Sequence, residues 1–145
     1  MRHSFGTVTE YEGITFYSRT EAIWAAHFDK AGVPWRYESI TFRNSAAQYT
    51  PDFFLPSLNA VVEVKASGNL KLNHWAHLVY GQSKFTTPFC NRPLLWIVGR
   101  KLIPTGSKGE YIWVFPPEDK WSSGTPRNIR AESLSAALAI LGRFL

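Results

Sequence analysis

The residue types best suited to chemistry in this sequence are two acids and a lysine within one short stretch. Pro51-Asp52 is followed, after ten intervening residues, by Glu63-Val64-Lys65. Side chains alternate along a strand, so Glu63 and Lys65 would share one face of the apolar run over residues 60–66. A buried charge costs free energy unless it is paired or binds an ion. The pattern therefore predicts either a structural ion pair or a site for a metal and a phosphate.

Metal-assisted hydrolysis is the chemistry that these side chains would support. If Asp52 and Glu63 lie on adjacent strands, they offer the oxygen ligands that a hard divalent cation prefers. We expect Mg²⁺ to suit them best, with Mn²⁺ as a substitute. Such a cation polarises a phosphoryl oxygen and lowers the pKa of bound water, and Lys65 beside it would stabilise developing negative charge. The expected reaction is the hydrolysis of a phosphodiester.

The elements that must position these residues begin with a hairpin and a helix. Alternating residue types over residues 5–17 predict a hairpin that turns at Glu12-Gly13. Ser18 and Glu21 then have the spacing of a capping box, and apolar residues at helical spacing predict a helix over residues 19–31. Two interpretations of Glu21 follow: it caps the helix only, or it also contacts the metal site.

The rest of the chain predicts further strands and helices around the same site. Aromatic, β-branched and apolar runs predict three consecutive antiparallel strands, over residues 35–42, 49–55 and 60–66. Apolar spacing then predicts a helix, two buried strands and a final helix, over residues 70–84, 94–99, 111–115 and 134–144. We therefore expect an α/β fold with a mixed sheet flanked by helices, forming one domain over residues 1–145.

The order of these motifs resembles that of a known nuclease superfamily. Pro51-Asp52 followed by Glu63-Val64-Lys65 resembles the PD-(D/E)xK nucleases, and residues 14–67 are similar to small phage and bacterial nucleases of the endonuclease I (junction resolvase) type. The resemblance implies a restriction-endonuclease-like core with α-β-β-β-α-β order. It also implies metal ligation by Asp52, Glu63 and the Val64 carbonyl, catalysis by Lys65, and an accessory carboxylate from Glu21. Beyond residue 67 the chain does not match the resolvase group, so the form of the substrate stays open.

The charge distribution predicts a polyanionic partner. The chain carries a formal net charge of +5, and residues 64–109 contain no Asp or Glu but seven Lys or Arg. Basic side chains release counterions when they bind a phosphate backbone, so this stretch is typical of a DNA-binding face. The alternative is an ordinary solvated basic surface. The expected DNA contacts are Lys71, Gln82, Lys84, Arg100 and Lys101.

Cysteine content and hydropathy exclude several other classes of protein. With Cys90 as the single cysteine, neither an internal disulfide nor a multi-thiolate zinc site can form. No purely apolar run, including the one over residues 94–98, exceeds six residues, which is far shorter than the roughly 20 residues that span a bilayer. No apolar segment typical of a secretory signal follows Arg2. These features predict a cytoplasmic protein with no membrane association.

The leading hypothesis is therefore a Mg²⁺-dependent DNA endonuclease that acts on branched, phage or recombination DNA. The alternative is a nuclease-fold subunit that binds nucleic acid without cutting it, within a larger recombination, transposition or defence assembly. DNA is the expected partner, and a third hypothesis is an enzyme of the same chemistry that acts on RNA or on DNA ends. A homodimer or a larger protein assembly is also expected, since a domain with one site cuts two strands only as a dimer or in two visits.

Overall fold

The computed structural model describes residues 7–43, 48–66, 91–105, 109–120 and 128–145. In chain order the described elements are β1 (Thr9–Tyr11), β2 (Ile14–Phe16), α1 (Arg19–Lys30), β3 (Arg36–Tyr37), β4 (Phe42–Arg43), β5 (Gln48–Tyr49), β6 (Phe53–Leu55), β7 (Ala60–Lys65), β8 (Leu94–Val98), β9 (Tyr111–Phe115), a 3₁₀ turn (Glu118–Lys120), β10 (Ile129–Ala131) and α2 (Leu134–Gly142). The helix predicted over residues 70–84 lies outside the described residues.

A mixed six-stranded sheet forms the centre of the fold, with the strand order β10-β9-β8-β7-β6-β3. Within the described residues, β7 and β8 pair in parallel, and the other neighbours in this sheet pair antiparallel. The predicted α/β class and mixed sheet are confirmed. The strands predicted over residues 35–42, 49–55 and 60–66 include β3, β6 and β7, which are consecutive antiparallel neighbours as expected.

The predicted hairpin and first helix are also confirmed. β1 and β2 pair antiparallel across Glu12 and Gly13, whose φ angles of 52° and 77° match the left-handed conformation of a tight two-residue turn. In α1 the Ser18 side chain accepts a hydrogen bond from the Glu21 amide, and the Glu21 carboxylate accepts one from the Ser18 amide. This reciprocal pair satisfies two amides at the helix start that have no partner within the helix.

Two of the predicted strands are wrong in extent because each is interrupted. The run over 35–42 divides into β3 and β4 at Glu38, which adopts a left-handed φ of 48° and donates its amide to the Asp52 carbonyl at 2.9 Å. The run over 49–55 divides into β5 and β6 at Pro51-Asp52, since proline has no amide to donate to a ladder. β4 and β5 instead pair with each other in a separate two-stranded sheet.

The two faces of the six-stranded sheet pack into different clusters. The helix-side cluster joins α1 and α2 to alternate residues of the sheet and includes Trp24, Phe28, Val62, Val64, Leu95, Ile97, Ala137 and Leu141. The far-side cluster takes the other residues and contains Phe42, Val61, Leu94, Trp96, Val98 and Phe115. β7 and β8 are therefore buried on both faces, as parallel strands usually are.

One polar contact fixes α1 against the end of β8. The Trp24 indole Nε1 donates a 2.8 Å hydrogen bond to the carbonyl of Gly99. Gly99 has a φ of 100°, and a Cβ there would lie 2.8 Å from the Cγ atom of Glu110. A side chain at position 99 would be both strained and obstructed, so the turn after β8 requires glycine.

No helix in the described part of the chain has the length and hydropathy to cross a membrane.

The capping box of α1 gives a stability prediction. Ser18→Ala removes the side-chain acceptor of the Glu21 amide, so we expect the free energy of unfolding to fall by about 1 kcal/mol in urea denaturation. Ser135→Ala is the matched control, because Ser135 is an exposed residue in the first turn of α2. We expect this control to change stability by no more than about 0.5 kcal/mol. Equal effects of the two substitutions would contradict a capping role for Ser18.

Candidate functional site

Glu63 and Lys65 form an ion pair on β7. The alternation along the strand places both residues on the face of Val61, which belongs to the far-side cluster. Lys65 Nζ lies 2.9 Å from Glu63 Oε2, and the side chains are 30% and 3% exposed, respectively. The glutamate is thus enclosed while the lysine reaches solvent. The prediction that these two residues share one face of an otherwise buried strand is confirmed.

Asp52 lies beside this pair, at the point where the ladder between β6 and β7 ends. The last paired residues are Phe53 and Val62, so one further step of the register sets Asp52 across from Glu63. The Asp52 side chain is fully buried, and its Oδ2 accepts a 2.7 Å hydrogen bond from the Val64 amide. The carboxylate therefore occupies the position that a further β6 residue would have taken in the ladder.

The Val64 carbonyl faces the same side of β7 as Asp52. In a hydrogen-bonded antiparallel pair one residue offers its amide and its carbonyl to the same neighbour, so both groups point to one side of the strand. The Val64 amide points to Asp52, whereas the Lys65 carbonyl accepts from the Gly99 amide on the β8 side at 2.8 Å. The Val64 carbonyl, which the nuclease resemblance implies as a metal ligand with Asp52 and Glu63, thus lies on the Asp52 side of the strand.

Tyr49 is a residue of the site that sequence reasoning missed. Its hydroxyl donates a 2.5 Å hydrogen bond to Glu63 Oε1. Together with Lys65 on the other oxygen, this bond fixes the orientation of the carboxylate. The sequence signal was a tyrosine three residues before Asp52. The break between β5 and β6 that brings it to Glu63 depends on long-range pairing and has no periodic signature.

Glu21 makes its hydrogen bonds on the helix side of the sheet. Its side chain is 4% exposed, and Oε1 accepts from the Ser18 amide at 3.1 Å and from the Tyr37 hydroxyl at 3.0 Å. The same hydroxyl accepts a 3.1 Å hydrogen bond from the Tyr17 amide. The capping function predicted for Glu21 is confirmed. Glu63 and Lys65 lie on the opposite face of the sheet, which argues against a contact between Glu21 and the metal site. That contact stays a prediction.

A metal at this position would depend on water and substrate for most of its ligands. The described ranges contain no group of three or more His, Cys, Asp or Glu residues that could hold a metal. Mg²⁺ is usually held by only one or two carboxylates, and water and substrate phosphate complete its shell. Asp52 and Glu63 supply two carboxylates, and each carboxylate oxygen has room for more than one partner. A metal held here would therefore take these two carboxylates together with water or substrate phosphate.

The structure places two of the five predicted DNA contacts. Arg100 and Lys101 directly follow Gly99, whose amide is bonded to Lys65, so they lie at the same end of the sheet as the ion pair. Arg100 Nε donates to the Thr20 hydroxyl at 2.9 Å, and Lys101 Nζ lies 4.0 Å from Glu110 with 63% of its side chain exposed. The remaining three, Lys71, Gln82 and Lys84, are outside the described residues.

Comparison with known proteins identifies no relative that would assign a function to this site. No family model, curated protein or solved structure matches the chain. Any function must therefore be inferred from the residues themselves, in particular from the carboxylates and the lysine at the ends of β6 and β7.

A double-mutant cycle tests the bond between Tyr49 and Glu63. Tyr49→Phe removes a hydrogen bond to a buried carboxylate, and we expect the free energy of unfolding at neutral pH to fall by about 1.5 to 3 kcal/mol. In a Glu63→Gln background the same change should cost at least about 1 kcal/mol less, because the acceptor is no longer charged. Additive effects of the two substitutions in urea denaturation would contradict the bond.

The environment of Tyr37 predicts a pH dependence of stability. Burial, aided by the negative charges of Glu21 and Glu38, raises the pKa of Tyr37 above its ordinary value, while the hydrogen bond from the Tyr17 amide acts in the opposite direction. The folded state thus favours the neutral hydroxyl. Its stabilising contribution is complete below the unfolded pKa of about 10 and is lost as the pH rises further.

Tyr37→Phe should therefore lessen the fall in stability above pH 10, measured as urea midpoints between pH 8 and pH 11.5. Tyr11 contributes with the same sign, because its hydrogen bond to Asp29 raises its pKa to about 12. We expect Tyr11→Phe to remove a separate part of the slope. Parallel pH profiles for wild type and Tyr37→Phe would contradict the assignment.

Proposed function

We propose that this chain is a Mg²⁺-dependent deoxyribonuclease, with a restriction-endonuclease-like core, that hydrolyses phosphodiester bonds. One observation carries the proposal. Two buried carboxylates, on Asp52 and Glu63, lie at the ends of adjacent antiparallel strands, beside a lysine that reaches solvent. Buried carboxylates are costly unless a cation or donors compensate them, so their placement at an open strand end favours a functional site.

The metal would be held by Asp52, Glu63 and the Val64 carbonyl. When bound, Mg²⁺ would supply Lewis-acid polarisation of the scissile phosphate and would lower the pKa of the attacking water. The carboxylates themselves are held in place, since Val64 donates to Asp52 and Tyr49 donates to Glu63. A ligand set that is already oriented needs little rearrangement when substrate binds.

Lys65 would act on the reacting phosphate. Its ammonium contacts Glu63, yet the side chain is 30% exposed, so it can turn toward a phosphate bound at the strand end. There it would stabilise the negative charge that develops on the phosphoryl oxygens. Glu63 would retain Tyr49 as a partner when Lys65 moves, which keeps the carboxylate oriented throughout the reaction.

DNA is the proposed substrate, and a branched, phage or recombination intermediate its proposed form. Arg100 and Lys101 support this substrate, because they add positive charge at the same end of the sheet as Lys65. The acid-free stretch over residues 64–109 adds a field that attracts polyanions.

A cleavage assay on four DNA forms tests the proposal. The forms are supercoiled plasmid, linear duplex, single strand and four-way junction, each in Mg²⁺, Mn²⁺ or EDTA. We expect metal-dependent cutting by the wild type, and a loss of at least about 100-fold in rate for Glu63→Gln and for Asp52→Asn. Glu10→Gln is the matched control, because Glu10 is an exposed strand glutamate in the N-terminal hairpin. It should cut at the wild-type rate.

The same assay separates the two functions. Cutting that persists in the double variant Asp52→Asn/Glu63→Gln would contradict this assignment of the active site and leave Glu63 and Lys65 as a structural ion pair. Tight DNA binding with no cutting in either metal would instead support the non-cleaving subunit of a larger assembly. A circular dichroism spectrum of each variant ensures that lost cutting does not reflect lost folding.

A further inference from the structure

The loop over residues 100–105 lies close to Lys65. It begins directly after Gly99, whose amide donates a 2.8 Å hydrogen bond to the Lys65 carbonyl. A chain advances at most about 3.6 Å per residue, so the Cα atom of Ile103 is within about 14 Å of the Cα atom of Gly99. One turn of duplex DNA is about 34 Å long. A duplex bound at this end of the sheet is therefore long enough to contact both Lys65, on the far side, and this loop, which is bonded to α1 and α2 on the helix side.

Two apolar side chains in the loop are turned toward solvent. Leu102 is 39% exposed and Ile103 is 68% exposed, and both are among the large hydrophobic residues that the described fold leaves uncovered. Arg100 and Lys101 immediately precede them, and Pro104 follows. The loop thus combines two exposed cations with two exposed aliphatic side chains.

The backbone of the loop is nevertheless held at several points. The Arg100 carbonyl lies 3.1 Å from His27 Nε2, and the Leu102 carbonyl accepts a 3.0 Å hydrogen bond from the Leu134 amide. At its far end the Thr105 hydroxyl donates to Glu110 at 2.8 Å. The first two bonds tie the loop to α1 and to the start of α2, so Ile103 is presented from a fixed support.

We propose that Ile103, with Leu102 beside it, is a wedge that inserts between base pairs of bound duplex DNA while Arg100 and Lys101 contact the flanking phosphates. Apolar wedges of Leu, Ile or Pro beside basic residues are how many proteins unstack and kink DNA. The charge of the loop fits a polyanion, and its aliphatic pair fits the apolar faces of the bases. This inference rests on the proposed function and identifies residues that select the form of the substrate.

The wedge implies a preference for DNA that is already interrupted. Unstacking costs least at a step that is mismatched, bulged or branched. An enzyme that opens a step with Ile103 therefore works fastest where the step is open beforehand. The branched DNA proposed as substrate is of this kind.

Fluorescence of 2-aminopurine tests the wedge without cleavage. Short duplexes carrying this base at successive positions are mixed with protein in EDTA, and a rise in fluorescence reports unstacking. We expect the rise with the wild type and with Ile103→Leu, and its loss with Ile103→Ser. Leu145→Ser is the matched control, since Leu145 is 74% exposed and lies beyond the opposite end of α2. It should leave the rise unchanged.

Cleavage in Mg²⁺ gives the second readout. We expect Ile103→Ser to slow the cutting of a fully paired duplex by about tenfold or more, and to slow the cutting of a bulged duplex much less. Equal slowing on both substrates, or none, would overturn the wedge. A change in the oligomeric mass of the free protein in Ile103→Ser, with unstacking intact, would overturn it in favour of a contact between two copies of the chain.

The two proposals fail separately. Unstacking by a wild type that does not cut would support the wedge and overturn the nuclease. Cutting that depends on Glu63 but is accompanied by no unstacking would overturn the wedge and leave the nuclease in place. A wild type that binds no DNA would overturn both.

Discussion

The burial of Glu63 within the central strand β7 is the interaction on which the arrangement of the candidate site depends. A carboxylate that is 3% exposed needs charge or hydrogen-bond compensation, and two side chains supply it. Lys65 follows from the strand itself, because residues two apart share a face. Tyr49 arrives from β5, and its position requires the chain to leave the six-stranded sheet before Pro51 and return after it. The interruption beside Asp52 is thus part of how Glu63 is satisfied.

The end of the sheet near this pair is fixed from the other face as well. Trp24 on α1 bonds to Gly99 at 2.8 Å, and Gly99 bonds in turn to Lys65, also at 2.8 Å. A helix on one side of the sheet therefore holds the turn that follows β8, next to a charged strand end on the other side. The positive φ of Gly99 makes this close approach feasible, since any Cβ there would strike Glu110. Substitutions in α1 that break the Trp24–Gly99 hydrogen bond should consequently shift the position of the loop over residues 100–105.

Much of the local structure followed from the sequence. Apolar spacing and the Ser18/Glu21 pattern located α1, Glu12-Gly13 located the hairpin, and apolar runs located β7, β8 and β9. The strands around Glu38 and Pro51 were predicted too long, because β propensity reports suitability for a pleated surface and not where pairing stops. β10 was not predicted: its three residues follow a Pro-, Ser- and Gly-rich segment and carry no alternation long enough to recognise.

The sequence by itself determined which residues could do chemistry and which faces they share. Alternation along one strand sufficed to pair Glu63 with Lys65, and helical spacing with a capping pattern sufficed for α1, because both are set within a few residues. Only the tertiary structure decided that Tyr49 bonds to Glu63, that Asp52 ends the β6–β7 ladder, that Glu21 bonds to Tyr37, and that Gly99 lies beside Lys65. Each of these contacts joins residues distant in sequence, so it depends on strand register and chain breaks that are settled by packing of the whole sheet.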